Sequence, residues 1–83
     1  MDKVLIAFHA PSVNMSYDAF TPCDIPIAEL LPIVSQAFHD LTNGKYETSE
    51  REILCLSSPN MLLNPKLTLN DYNIQDGMQL YII

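Results

Sequence analysis

The 83-residue chain is 48% hydrophobic, enough to fill one small core, and its length excludes a second domain. Ten Asp and Glu against four Lys and Arg give a net charge of −6, and Lys3, Lys45, Arg51 and Lys66 stand singly; with no basic cluster to neutralise phosphates, nucleic acid and anionic lipid are poor partners. Apolar stretches such as Val4 to Phe8 fall far short of the roughly 18 to 20 residues that cross a bilayer, so no membrane insertion is expected.

Lys3 to Phe8 (KVLIAF) is β-branched and apolar on both faces, which predicts a central strand. His9 to Ser12 interrupt it, with Ala10-Pro11 as the turn, and Asn14 to Thr21 resumes with Met15, Tyr17, Ala19 and Thr21 in period two. A second strand, antiparallel to the first, follows from so short a connection.

Asp24 precedes Ile25 and Pro26. A proline in the first turn loses no hydrogen bond and a nearby carboxylate suits the exposed donors, so a helix starts there. Leu30, Leu31, Val34, Phe38 and Leu41 then share one face, opposite Glu29, Gln36 and Asp40, with Gly44 as C-terminal cap. Pro32 removes one donor from this helix and predicts an irregular first turn or a bend.

After a polar loop, Lys45 to Glu50, the segment Arg51 to Ser57 (REILCLS) predicts a third strand and Met61 to Leu63 a short fourth, with Pro59-Asn60 turning between them. Asn64 to Asn73 is a loop with a turn of helix, and Asp76-Gly77 launches the last strand, Met78 to Ile83. The order describes an α+β domain, a mixed sheet of about five strands with one helix packed across it. Burying both terminal apolar runs requires the last strand to lie beside the first, as in a β-grasp roll.

No residue set predicts catalysis, a metal or a cofactor. Cys23 lies where a helix dipole could favour thiolate, but no basic residue adjoins it and Asp24 opposes the shift, so Cys23, like Cys55 in the third strand, reads as an ordinary thiol. The two cysteines form no CxxC, and MDKVLIAF lacks a basic leader before a long apolar segment, which points to a reducing cytoplasm. His9 and His39 lack partners at ligand spacing and are expected as surface histidines. There is no nucleophile elbow, the two glycines form no phosphate-cradling loop, and Asn14-Met15-Ser16 is a coincidental glycosylation sequon without a secretory signal.

Strand parity gives a sharper candidate. Val4, Ile6, Phe8, Leu54, Leu56, Leu80 and Ile82 are expected to face the helix, leaving Leu5, Ala7, Ile53, Tyr81 and Ile83 on the open face of the sheet. An apolar patch with a polar rim indicates a protein partner. Two other readings stand beside it: loops cover the patch, or it is the ordinary apolar share of a surface. A single bulge would reverse the parity of Ile53 and Leu54.

Two segments carry a family resemblance. LNDYNIQDGMQLYII (Leu69 to Ile83) resembles the last third of ubiquitin, and TPCDIPIAELLP (Thr21 to Pro32) is similar to a motif of the ubiquitin-like domains of type VII secretion systems. In length and in the start of the last strand the chain resembles the small YukD/EsaB family of those systems. The resemblance implies a ubiquitin-like β-grasp fold and no enzymatic activity. It also implies an accessory or regulatory role in secreting small helical-hairpin substrates through an ATP-driven membrane machine. The partner it implies is a protein, a component of that apparatus or a regulator of its expression, and in ubiquitin the corresponding open face is the main recognition surface. The sequence departs from ubiquitin at Ile83, where no Gly-Gly tail follows, so conjugation and sulfur-carrier chemistry are not expected. The other arrangement compatible with these motifs is an N-terminal ubiquitin-like domain of a larger secretion membrane protein. The residues specify no oligomeric state.

Overall fold

A computed structural model describes residues 3–49, 51–57 and 60–83. The expected turn at Pro59-Asn60 and the end of the polar loop at Glu50 lie partly outside them. The elements are β1 (Lys3–Ala10), a 3-10 turn (Pro11–Val13), β2 (Met15–Pro22), α1 (Ile27–Leu41), β3 (Leu54–Ser57), β4 (Asn60–Leu62), a second 3-10 turn (Asn70–Tyr72) and β5 (Met78–Ile82). The sheet order is β2-β1-β5-β3-β4. β1 and β5 run parallel at its centre, and the other neighbours are antiparallel.

β1 runs past Phe8 because the hairpin register continues through His9–Ser16 to Ala10–Met15. Asn14 closes the turn in the left-handed region (φ 52), its N–H donating to the Pro11 carbonyl at 3.2 Å. Short polar side chains tolerate that conformation best after glycine.

The start of α1 departs from the sequence expectation. Pro26 is the N-cap rather than a first-turn residue, and no side chain caps the helix. The N–H groups of Ile27 and Ala28 donate instead to the carbonyls of Leu67 and Pro65, at 2.8 and 2.9 Å. A distant loop thus satisfies donors that would otherwise be orphaned. The helix continues through the exposed Pro32 to Leu41.

Its buried face is Ile27, Leu30, Val34 and Phe38, whereas Leu41, expected on that face, is half exposed because the chain leaves the helix there. The C-terminus is a Schellman motif: Asn43 N–H donates to Asp40 and Gly44 N–H to His39. Asn43 (φ 54) therefore holds the left-handed capping position and Gly44 follows it.

Phe8, Ile6, Leu80, Ile82 and Leu54 from the sheet close the core against Phe38, Leu30 and Ile27 of α1, with Leu69 below. Asp76 and Gly77 join the two central strands. Asp76 Oδ1 accepts from Leu5 N–H at 2.7 Å, and Gly77 N–H donates to the Leu5 carbonyl at 2.9 Å. Gly77 has φ +87, and a Cβ placed there would meet nothing within 4 Å. Gly77→Ala should therefore destabilise through backbone strain alone, by about 1–2 kcal/mol, with Gly77→Asn less costly. Urea denaturation of the three proteins checks this, and equal stability of wild type and Gly77→Ala would contradict it. Among the described residues no helix is long and apolar enough to cross a membrane.

Candidate protein-binding face

The parity expected from the sequence holds: Val4, Ile6, Phe8, Leu54, Leu56, Leu80 and Ile82 are buried on the helix side. No bulge intervenes at β3, because Ile53 and Ile83 exchange two backbone hydrogen bonds of 3.0 Å. β3 begins at Leu54 rather than Arg51. The Glu52 carboxylate accepts a hydrogen bond from the part-buried Tyr46 hydroxyl.

On the open face the registers sort the side chains into rows across the strands. Tyr81 of β5 lies between His9 of β1 and Cys55 of β3, and Leu62 of β4 lies beyond Cys55. The His9 and Tyr81 rings stack at 4.7 Å with planes 21° apart. Ile53 and Ile83 form the next row and are 39% and 59% exposed. A cleft of about 460 Å³ adjoins Ile83, lined also by Ser12, Tyr46, Arg51 and Glu52.

The five expected residues do not form one patch. Ala7 sits between Asp18 of β2 and Gln79 of β5, a mostly polar row. Beyond it Leu5 pairs with Phe20. Leu5 is four residues from His9, about 13 Å along the strand at a rise of ~3.3 Å per residue. The structure brings Tyr81, Ile53 and Ile83 together with His9, Cys55 and Leu62, and leaves Leu5 at the opposite end with Phe20, which is 71% exposed.

Sequence reading missed His9, Cys55 and Leu62. Extending the alternation of Leu5 and Ala7 by one step would have found His9, and period two from Ile53 would have found Cys55. Neither histidine is the surface residue expected. His9 is half-buried, with Nε2 enclosed and without a hydrogen-bond partner among the described residues. His39 is also half-buried, and its Nδ1 lies 2.9 Å from the Tyr46 carbonyl, which makes that nitrogen the donor. Cys23 and Cys55 are both buried. Among the described residues no three His, Cys, Asp or Glu side chains gather as metal ligands would. The Tyr81 row offers an aromatic stack flanked by branched aliphatics, a surface suited to burying a partner's apolar side chains.

A model of the family described as "WXG100 protein secretion system (Wss), protein YukD" matches residues 4–82. No curated protein matches the sequence. The ubiquitin-like domain of the type VII secretion system protein ECCD1 of Mycobacterium tuberculosis is similar in structure, with a TM-score of 0.77 at 11% identity over 100% of this chain and 99% of that one. The EccD5 ubiquitin-like domain from Mycobacterium xenopi gives 0.69 at 22% identity over 100% and 94%. A chain of the MycP5-free ESX-5 inner membrane complex gives 0.73 at 20% identity, covering all of this chain and 21% of that one. These likenesses establish the ubiquitin-like β-grasp fold that the element order predicted.

Proposed function

We propose that this chain, which belongs to the YukD family of the WXG100 protein secretion system, is a non-catalytic accessory or regulatory component of type VII secretion. It acts as a single ubiquitin-like domain without a cofactor, on the cytoplasmic side of the membrane. It binds a protein component of the apparatus through the Tyr81 end of its open sheet face. The observation that carries this reading is the cluster of Tyr81, His9, Cys55, Ile53, Ile83 and Leu62 on a face that α1 does not cover. The similarity to EccD domains, which belong to secretion-system proteins, supports the choice of partner class.

The test is affinity capture of the tagged chain from its host, with recovered secretion components quantified against Tyr81→Ala and Leu5→Ala. A central aromatic anchor carries about 2 kcal/mol or more of binding, so Tyr81→Ala should reduce recovery at least about tenfold while Leu5→Ala leaves it nearly unchanged. Equal recovery with Tyr81→Ala and wild type removes this face from the reading. The ESX-5 chain, of which the matched region is 21%, favours a second arrangement in which the same face works inside a larger membrane protein. An immunoblot of the host protein at well above the 9.4 kDa of this sequence would select it.

A further inference from the structure

We propose that the outer edge of β2 is a second binding surface, which adds an extended, cation-bearing strand from a partner protein to the sheet. Backbone polarity along the hairpin leads to it. The N–H and C=O of Leu5 are both engaged on the β5 side, with Asp76 and Gly77. In an antiparallel pair, residues alternate between turning both groups toward the partner strand and turning both away. Leu5–Phe20, Ala7–Asp18 and His9–Ser16 are therefore pairs whose groups point out of the hairpin. On β1 these groups meet β5, but on β2, the edge strand, they face away from every other strand.

Ser16, Asp18 and Phe20 thus present three N–H and C=O sets in a row, and Pro22 adds its carbonyl where a missing N–H does no harm. Edge strands are ordinarily blunted by charged side chains, lysine above all, internal proline, a bulge or shortness, and of these β2 carries only the single charge of Asp18. β2 is eight residues long, pairs with β1 without a bulge, and carries proline only at its last position. Such an edge suits recognition by strand addition, where backbone bonds supply affinity and alternate side chains supply selectivity.

Charge and apolar exposure define the occupant. Asp18 is the only charged residue of β2, Asp24 follows two positions beyond its end, and Lys3 sits on β1 opposite Pro22, two rows from Asp18. Two copies of a chain of net charge −6 repel each other, whereas a partner strand with Lys or Arg opposite Asp18 gains a cross-strand ion pair. Among the described residues Phe20 is the most exposed large apolar side chain and sits two positions along the same face. The fitting strand has an apolar residue opposite Phe20, a cation opposite Asp18, and β-branched residues beside Tyr17 and Ala19. This surface shares only Ser16, which pairs with His9, with the Tyr81 row, and Asp18 and Phe20 lie outside that row, so the response of these two residues separates the two readings.

The experiment titrates the ¹⁵N-labelled chain with the blocked peptide Ac-Val-Ile-Val-Lys-Val-Thr-amide, whose antiparallel register places its lysine opposite Asp18. The amides of Ser16, Asp18 and Phe20 should shift and exchange more slowly. Asp18→Lys, an exposed substitution, should weaken binding about tenfold, and the peptide with glutamate in place of lysine should restore it. Three results overturn the proposal: no shifts at the Asp18 and Phe20 amides, shifts confined to Ser16 and the Tyr81 end, or the same amides shifting with protein concentration alone, which would make a second copy the occupant.

Discussion

Phe38→Ala should lower stability by about 3–5 kcal/mol, the range for truncating a buried phenylalanine without collapse of the cavity. Phe38 is fully buried in the last turn of α1. Its ring meets Tyr17 of β2 edge-on at 4.8 Å and Tyr46 of the following loop at 5.7 Å, while Tyr17 also contacts Phe8 at 5.6 Å. One side chain therefore joins helix, sheet edge and loop. A domain of this length holds roughly 4–12 kcal/mol in total. The loss should appear as a fall in Tm of about 15–30 °C or as a chain partly unfolded at room temperature. Phe38→Leu keeps much of the volume and should cost under about 2 kcal/mol. Urea denaturation followed by circular dichroism measures both, and a cost for Phe38→Ala below about 1 kcal/mol would show that the aromatic cluster is not the centre of the core.

What the sequence revealed and what it concealed divide along the distance of the interactions involved. Lys3 to Phe8 is legible as a central strand because local composition reports burial on both faces, and Leu30, Val34 and Phe38 are legible as a helix face because their spacing is local. The cap of α1 was not legible. Its acceptors, Pro65 and Leu67, lie nearly forty residues away, and the nearby Asp24 offered a plausible local substitute. Leu41 obeyed the helical period yet ended half exposed, since periodicity carries no information about where the chain turns off. The candidate face shows the same limit. Period two placed Tyr81, Ile53 and Ile83 on one side of the sheet, but the polar row that separates them from Leu5 exists only through the pairing of Ala7 with Asp18 and Gln79. His9 was hidden for a simpler reason: Ala10-Pro11 looked like the start of the turn, although the hairpin register carries the strand through Ala10.

Stability should also fall steeply above about pH 10, where tyrosines of an unfolded chain ionise. Burial between Phe8 and Phe38 pushes the Tyr17 hydroxyl above its ordinary value. Tyr46 is pushed up further, first by burial and then by the Glu52 carboxylate, which accepts its hydrogen bond and repels the phenolate. Below about pH 10 both residues are protonated in both states and contribute no slope. Above it the unfolded chain loses these protons while the folded chain keeps them, so stability declines with rising pH by at most about 1.4 kcal/mol per pH unit for each tyrosine. Tyr46→Phe keeps the ring and removes one titrating group. Its stability should therefore decline less steeply than wild type between about pH 9 and 11 in urea denaturation, and parallel profiles would refute the assignment. The variant bears on the binding face as well. The Tyr46–Glu52 bond holds the residue that precedes Ile53, and Ile53 exchanges two hydrogen bonds with Ile83 beside the Tyr81 row. Faster amide exchange at Ile53 and Ile83 in Tyr46→Phe, with the β1–β5 amides still protected, would show that the loop positions this end of the face rather than merely lying over the core.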